Sequence, residues 1–196
     1  MDIQNNIRPA RRGGTFCQSS RKNIILRAVN NRPVDKELHR IVASAIIIKD
    51  GKFLITKRSP NKKMFPSLWT VPGGGIEPSD YINTLKSNSD CWYFALEKSL
   101  QREVMEEAGI EIGKINYLLD LAFIKPDGTP VITLSFYCNW KGGEVKLNEE
   151  STDYAWASFE EAKNYEFCPG LLGELEMVDK IIKGEDPANI IYNPNL

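Results

Sequence analysis

Three carboxylates fall within a five-residue span of Arg102-Glu103-Val104-Met105-Glu106-Glu107-Ala108-Gly109-Ile110. On a helix, Glu103 and Glu107 stand four apart and Glu106 three from Glu103, so all three crowd one end. Like charges at that spacing repel unless a cation lies among them, and clustered hard oxygens are what magnesium or manganese takes. Arg102, four before Glu106, can hold that carboxylate in place. Gly109 is a natural helix stop. A solvated acidic face capped by glycine is the ordinary account of a Glu-Glu pair. The full pattern of Arg, Glu, aliphatic, any, Glu, Glu, any, Gly, aliphatic arises by chance in on the order of one in 10^5 chains of this length. That rarity sets the ordinary account aside.

The elements that must position this helix are readable from hydrophobic pattern. Residues 41–48 are almost continuously apolar and rich in β-branched side chains, as in a strand buried on both faces. Lys49-Asp50-Gly51-Lys52 turns the chain and residues 53–56 return, which predicts a hairpin. Residues 69–71 form a short strand running into Pro72-Gly73-Gly74-Gly75. The helix is expected over 93–108, with Phe94, Leu96, Leu100, Val104 and Ala108 spaced to face a core. Strands follow at 115–124 and 131–140, joined across Pro126-Asp127-Gly128, and Trp156 lies on another. A small helix begins at 159–163, an amphipathic helix spans 171–183, and residues 184–196 read as a loose tail. Such an order predicts an α/β fold, a mixed central sheet with helices on both faces.

At these residues the chain resembles the Nudix hydrolase superfamily. Its box reads Gly, five residues, Glu, seven residues, then Arg-Glu-aliphatic-any-Glu-Glu-any-Gly-aliphatic. The second half matches at every fixed position, and Gly74 fits the opening glycine in a Pro-Gly-Gly context typical of MutT-like members. The first half departs. Asp80 stands where the box has Glu, and 21 residues separate it from Arg102 instead of seven, an excess of 14. Counting back from Arg102 reaches Phe94, which cannot do a carboxylate's work. Glu77, Asp80 and Glu97 are three stand-ins for the missing glutamate. The polar insertion near 81–91 reads as a loop that leaves the metal helix alone and borders the substrate cleft.

The resemblance implies an α/β/α sandwich that hydrolyses a nucleoside diphosphate linked to another moiety, by metal-activated water. It implies that Glu103, Glu106 and Glu107 bind magnesium, with manganese as the alternative, that Gly73 adds its carbonyl, and that Glu103 is a candidate general base. Glu150, six residues before Trp156, fits the additional loop glutamate that members often carry. Catalytic roles fall to Glu103, Glu106, Glu107 and Arg102. Arg58, Trp69, Phe123 and Leu134 are candidates to contact the nucleotide. The expected substrate is a nucleoside triphosphate, oxidised ones included. ADP-ribose or another sugar nucleotide is the second reading, and a non-catalytic nucleotide sensor the third.

Composition sets the bounds. The chain of 196 residues is 42% hydrophobic and 26% charged, enough for one domain of 39–184 between a basic extension (1–38) and a C-terminal tail (185–196). Residues 1–40 carry nine Lys/Arg against Asp2, Asp35 and Glu37, a balance of +6, which leaves −7 on the remainder. An acidic domain gains no phosphate attraction from its overall field, so a divalent ion is expected to mediate it. Arg8, Arg11, Arg12, Arg21 and Lys22 lack interleaved aromatics, so a solvated arm is expected in place of a nucleic-acid contact. No stretch reaches the roughly 18 apolar residues of a membrane span, and no signal-peptide order opens the chain. Four scattered cysteines, Cys17, Cys91, Cys138 and Cys168, and a single histidine, His39, do not suggest zinc. A cytoplasmic protein is expected, monomeric or homodimeric, whose partner is a small nucleotide.

Overall fold

The computed structural model describes residues 38–88 and 91–196. The basic residues Arg8, Arg11, Arg12, Arg21 and Lys22 lie outside them. Eight strands form one mixed sheet: β1 (Arg40–Lys49), β2 (Lys52–Arg58), β3 (Trp69–Thr70), β4 (Gly73–Gly75), β5 (Glu111–Ile112), β6 (Asn116–Ile124), β7 (Pro130–Gly142) and β8 (Ser151–Ala157). The central path runs β3-β2-β1-β7-β5, with β4 on β1, β6 on β7 and β8 on β2. β1 and β7 pair in parallel over nine positions from Arg40↔Val131 to Ile48↔Asn139, while the other pairings are antiparallel.

The β1–β2 hairpin forms where Asp50 and Gly51 take φ of 51° and 73°, the left-handed pair that a two-residue turn requires. β1 is buried on both faces, as its pattern predicts. Ala43, Ala45 and Ile47 point to one side, where helix α2 (Ala95–Ala108) lays Leu100, Val104 and Ala108 on them. Ile46 and Ile48 point to the other, where α3 (Phe159–Ala162) and α4 (Leu171–Ile182) bring Phe159, Leu171, Leu175 and Val178. Helices on both faces of a mixed sheet make the expected sandwich.

Three local expectations are corrected. The helix starts at Ala95, not residue 93, because Phe94 sits at φ 60° and breaks the helical path just before it. The insertion is not all loop, since Ser79–Ile82 forms one helical turn, α1. Nor is the tail loose. A 3-10 turn at Pro187–Asn189 leads to Tyr192, whose hydroxyl donates to the Gly170 carbonyl (3.2 Å), and a Cβ on Gly173 would overlap the Asn193 carbonyl oxygen. The tail is packed onto the start of α4.

Candidate active site

The site is assembled where the glycine strand β4 meets the C-terminal half of α2. The Gly73 N–H donates to Glu107 Oε2 at 2.9 Å. A Cβ on Gly74 would overlap the Glu103 carboxyl, and one on Gly73 would overlap the Ala43 carbonyl oxygen. Glycine is required here because the backbone approaches both the helix carboxylate and the neighbouring strand more closely than any side chain permits. Gly109, at φ 68°, ends α2 with its N–H on the Met105 carbonyl (3.0 Å).

Arg102 organises the acids. It donates to Asp80 through Nε (2.5 Å to Oδ1) and Nη2 (3.2 Å to Oδ2), to Glu103 Oε1 at 3.0 Å and to Glu106 Oε2 at 2.8 Å. The Asp80 side chain is only 3% exposed, and the guanidinium beside it pulls its carboxyl down to about 2. Of the three stand-ins for the missing box glutamate, Asp80 meets Arg102. Glu77 instead accepts from the Ser79 hydroxyl (3.3 Å), and Glu97 from Gln101. The extra 14 residues therefore fold out as a side excursion that returns an acid to the same arginine.

Glu107 and Glu150 abut. Burial, then the neighbouring Glu150, push the Glu107 carboxyl well above its ordinary range, and burial raises Glu103 as well. Glu150 goes the other way because Lys62 pairs with it. Among the described residues no three acidic, thiol or imidazole side chains converge on one point as they stand. Arg102, Lys62 and the Gly73 N–H each hold a carboxylate in its present position. The donors gathered here are all carboxylate and carbonyl oxygens, the set that suits a hard divalent ion and not a soft one.

These acids stand along a cleft of ≈ 700 Å³ whose floor includes Val42 and Ser44 of β1 and Thr133 and Ser135 of β7. The structure brings Arg58 and Phe123 to it, Arg58 with its Nε on the Met64 carbonyl (3.1 Å). Trp69 and Leu134 are not brought there. Trp69 packs edge-on against Tyr165 (centroids 4.7 Å apart) beside the core. Leu134 pairs with Ala43 and so shares the α2 face of the sheet, opposite Thr133 and Ser135. Residues that pattern reading missed are Arg40, Lys62, Lys63 and Lys125 on the rim and Glu174 from α4. The basic pair Lys62-Lys63 in a loop between strands was the available signal for the rim. Against the domain's negative balance, the cleft thus has its own local cations for phosphate. Of the described insertion residues none lines the cleft, so the expectation that this segment borders it is not met. Among the described residues, no helix is long and apolar enough to cross a membrane.

Comparison with known proteins agrees with this arrangement. Residues 38–172 match the model of the NUDIX domain. The nucleoside triphosphatase NudI of Klebsiella pneumoniae (strain 342) is 30% identical over 138 residues, covering 65% of this chain and 87% of that protein. Its namesake in Escherichia coli (strain K12) is 31% identical over 137 residues with the same coverage. Among solved structures, a MutT protein from Methanosarcina mazei Go1 superposes with a TM-score of 0.56 at 26% identity, over 74% of this chain and 96% of that one. The departures in the first half of the box thus lie within a recognisable family frame, and the chain belongs to the Nudix hydrolases, which use divalent metal ions.

Proposed function

We propose that this protein hydrolyses nucleoside triphosphates to the monophosphate and pyrophosphate, with magnesium as the working ion. The observation that carries this reading is the gathering of Glu103, Glu106, Glu107 and Glu150 around the Gly73–Gly75 strand, at a nucleotide-sized cleft with a cationic rim. The names of the two NudI relatives support the triphosphate as substrate.

In this reading Glu103, Glu106, Glu107 and Glu150, with the Gly73 carbonyl, hold the ion. Once bound, a divalent ion offsets phosphate charge and lowers the pKa of an attacking water. The chain's own groups supply the remainder. Arg102 is a positioning residue that keeps Glu103 and Glu106 aimed from the helix. Arg58, Lys63 and Lys125 take phosphate charge at the rim. Water oxygen bonds to phosphorus, the bridging P–O bond breaks, pyrophosphate departs, and a carboxylate of the cluster, Glu103 foremost, takes the water's proton.

The test is product analysis over a panel of nucleoside triphosphates, ADP-ribose and sugar nucleotides with magnesium, with Glu107→Gln as control. Pyrophosphate and monophosphate from a triphosphate are expected. Turnover of ADP-ribose alone, or of nothing while nucleotides still bind, would overturn the reading.

A further inference from the structure

Glu174 is an odd residue to find where it is. It lies in the first turn of α4 and is 5% exposed, yet it belongs to the lining of the cleft. The Ser135 hydroxyl meets its carboxyl, while Oε2 has no hydrogen-bond partner among the described residues. A buried acceptor without a donor is a cost to the folded state, and such groups are ordinarily paired. No contact within the described structure explains this one. It faces the cleft.

Its place relative to the acids is set by the sheet. Glu107 takes the N–H of Gly73; Gly73 is the register partner of Ser44; and the Ser44 and Ser135 hydroxyls are 3.1 Å apart. From Gly73 to Ser135 is two strand spacings, roughly 10 Å. That is about the reach from the phosphates of a nucleotide to the pairing edge of its base. With phosphates at the acidic end, the base falls over Ser44 and Ser135, on the part of the cleft that Glu174 lines. We propose that Glu174 is a specificity-determining residue whose carboxyl accepts a hydrogen bond from an N–H on the pairing edge of the nucleobase.

The site is held ready. Tyr192 and Asn193 fasten the first turn of α4 through Gly170 and Gly173, so the carboxyl is fixed before a ligand arrives. Burial raises the Glu174 carboxyl to about 7, and in either protonation state one oxygen remains an acceptor. A site built to hydrogen-bond a substrate group rejects analogues that leave its buried polar atom unpaired, which a purely apolar pocket cannot do.

This inference rests on the triphosphatase reading, and the experiment separates the two. kcat and KM are measured for four nucleoside triphosphates on the wild type, Glu174→Gln and Glu174→Leu, with melting temperatures for all three. The Leu variant should lose at least about tenfold of the wild type's spread in kcat/KM between best and worst base, mostly through KM. Its melting temperature should be equal or higher, because an unpaired buried carboxyl is gone. A uniform loss on every nucleotide with a lowered melting temperature assigns Glu174 a structural role and overturns the proposal. So does an unchanged spread. If the wild type turns over no triphosphate, the triphosphatase reading fails by itself. Base preference is then read by calorimetric binding of the four nucleoside monophosphates, where matching affinity ratios in wild type and Glu174→Leu overturn the assignment.

Discussion

Arg102 grips Asp80 with two of its nitrogens, at 2.5 and 3.2 Å, across 22 positions of chain. The same guanidinium reaches Glu103 and Glu106, so a nearly buried aspartate sets the aim of two carboxylates it never touches. Asp80→Asn keeps the shape and removes the charge. At neutral pH it should cost about 2 kcal/mol of stability, the worth of a carboxyl held near 2 against an ordinary 3.8. The sign follows from the depressed value. This contribution is present above about 3.8 and lost as pH falls toward about 2, so wild type and variant should converge there in denaturant titrations. Magnesium affinity should fall roughly ten- to 100-fold through the disturbed aim of the ligands.

Glu107→Gln separates catalysis from stability. Turnover should drop at least about 100-fold, since a carboxylate of the proposed ion site is lost. Without added metal the variant should melt no lower than the wild type. The amide oxygen can still accept from Gly73 N–H, and the buried acid that abuts Glu150 is gone. Near-normal rates at saturating magnesium would show that the ion sits elsewhere.

Metal binding should release protons. The Glu107 carboxyl is raised by burial and by Glu150, so it holds its proton to higher pH than a free glutamate. An ion takes only the carboxylate, so magnesium affinity should rise with pH until that group is ionised, and calorimetry in buffers of different ionisation enthalpy counts the protons. Magnesium should also raise the melting temperature by mass action, more at higher pH. A pH-independent affinity would remove Glu107 from the ligand set.

Much of this was legible in the sequence where local pattern decides. The Asp50-Gly51 turn, the two-sided burial of β1 and the acid-bearing face of α2 all follow from neighbours within a few positions. What escaped depends on distance in the chain. Asp80, Glu77 and Glu97 were equal candidates because only the tertiary return of the insertion brings one of them to Arg102. Glu174 reads as one polar position in an amphipathic helix until the sheet carries Ser135 beneath it. Leu134 and Trp69 are candidates for base contact by side-chain type alone, and their placement follows from strand parity and core packing that residue type does not specify.

The same Glu174 leaves a signature in stability against pH. Its carboxyl is raised to about 7 from an ordinary 4.5. The folded state therefore keeps a proton that the unfolded chain gives up, so this contribution is full below about 4.5 and is lost as pH rises toward about 7. At most about 3 kcal/mol is involved. Glu174→Gln cannot titrate, so its stability should decline less than the wild type's over that window. Parallel curves from urea titrations would mean that the carboxyl is ionised in the fold.

The insertion should act on the metal helix and not on the substrate. The Tyr81 and Trp92 rings meet at 5.4 Å, and Trp92 Nε1 donates to the Thr84 carbonyl at 3.1 Å, which ties the far side of the excursion back onto α1. Asp80 lies in that helical turn, so loosening the tie frees the acid that Arg102 needs. Trp92→Ala should weaken magnesium binding roughly three- to tenfold, as loss of outer-shell support does, and leave nucleotide KM at saturating magnesium within about threefold. Replacing residues 83–91 with a short Gly-Ser linker should do the same, while a second Asp80→Asn change on top should add little, since both act through one contact. A raised KM with magnesium affinity intact would instead make the segment a cover for the cleft.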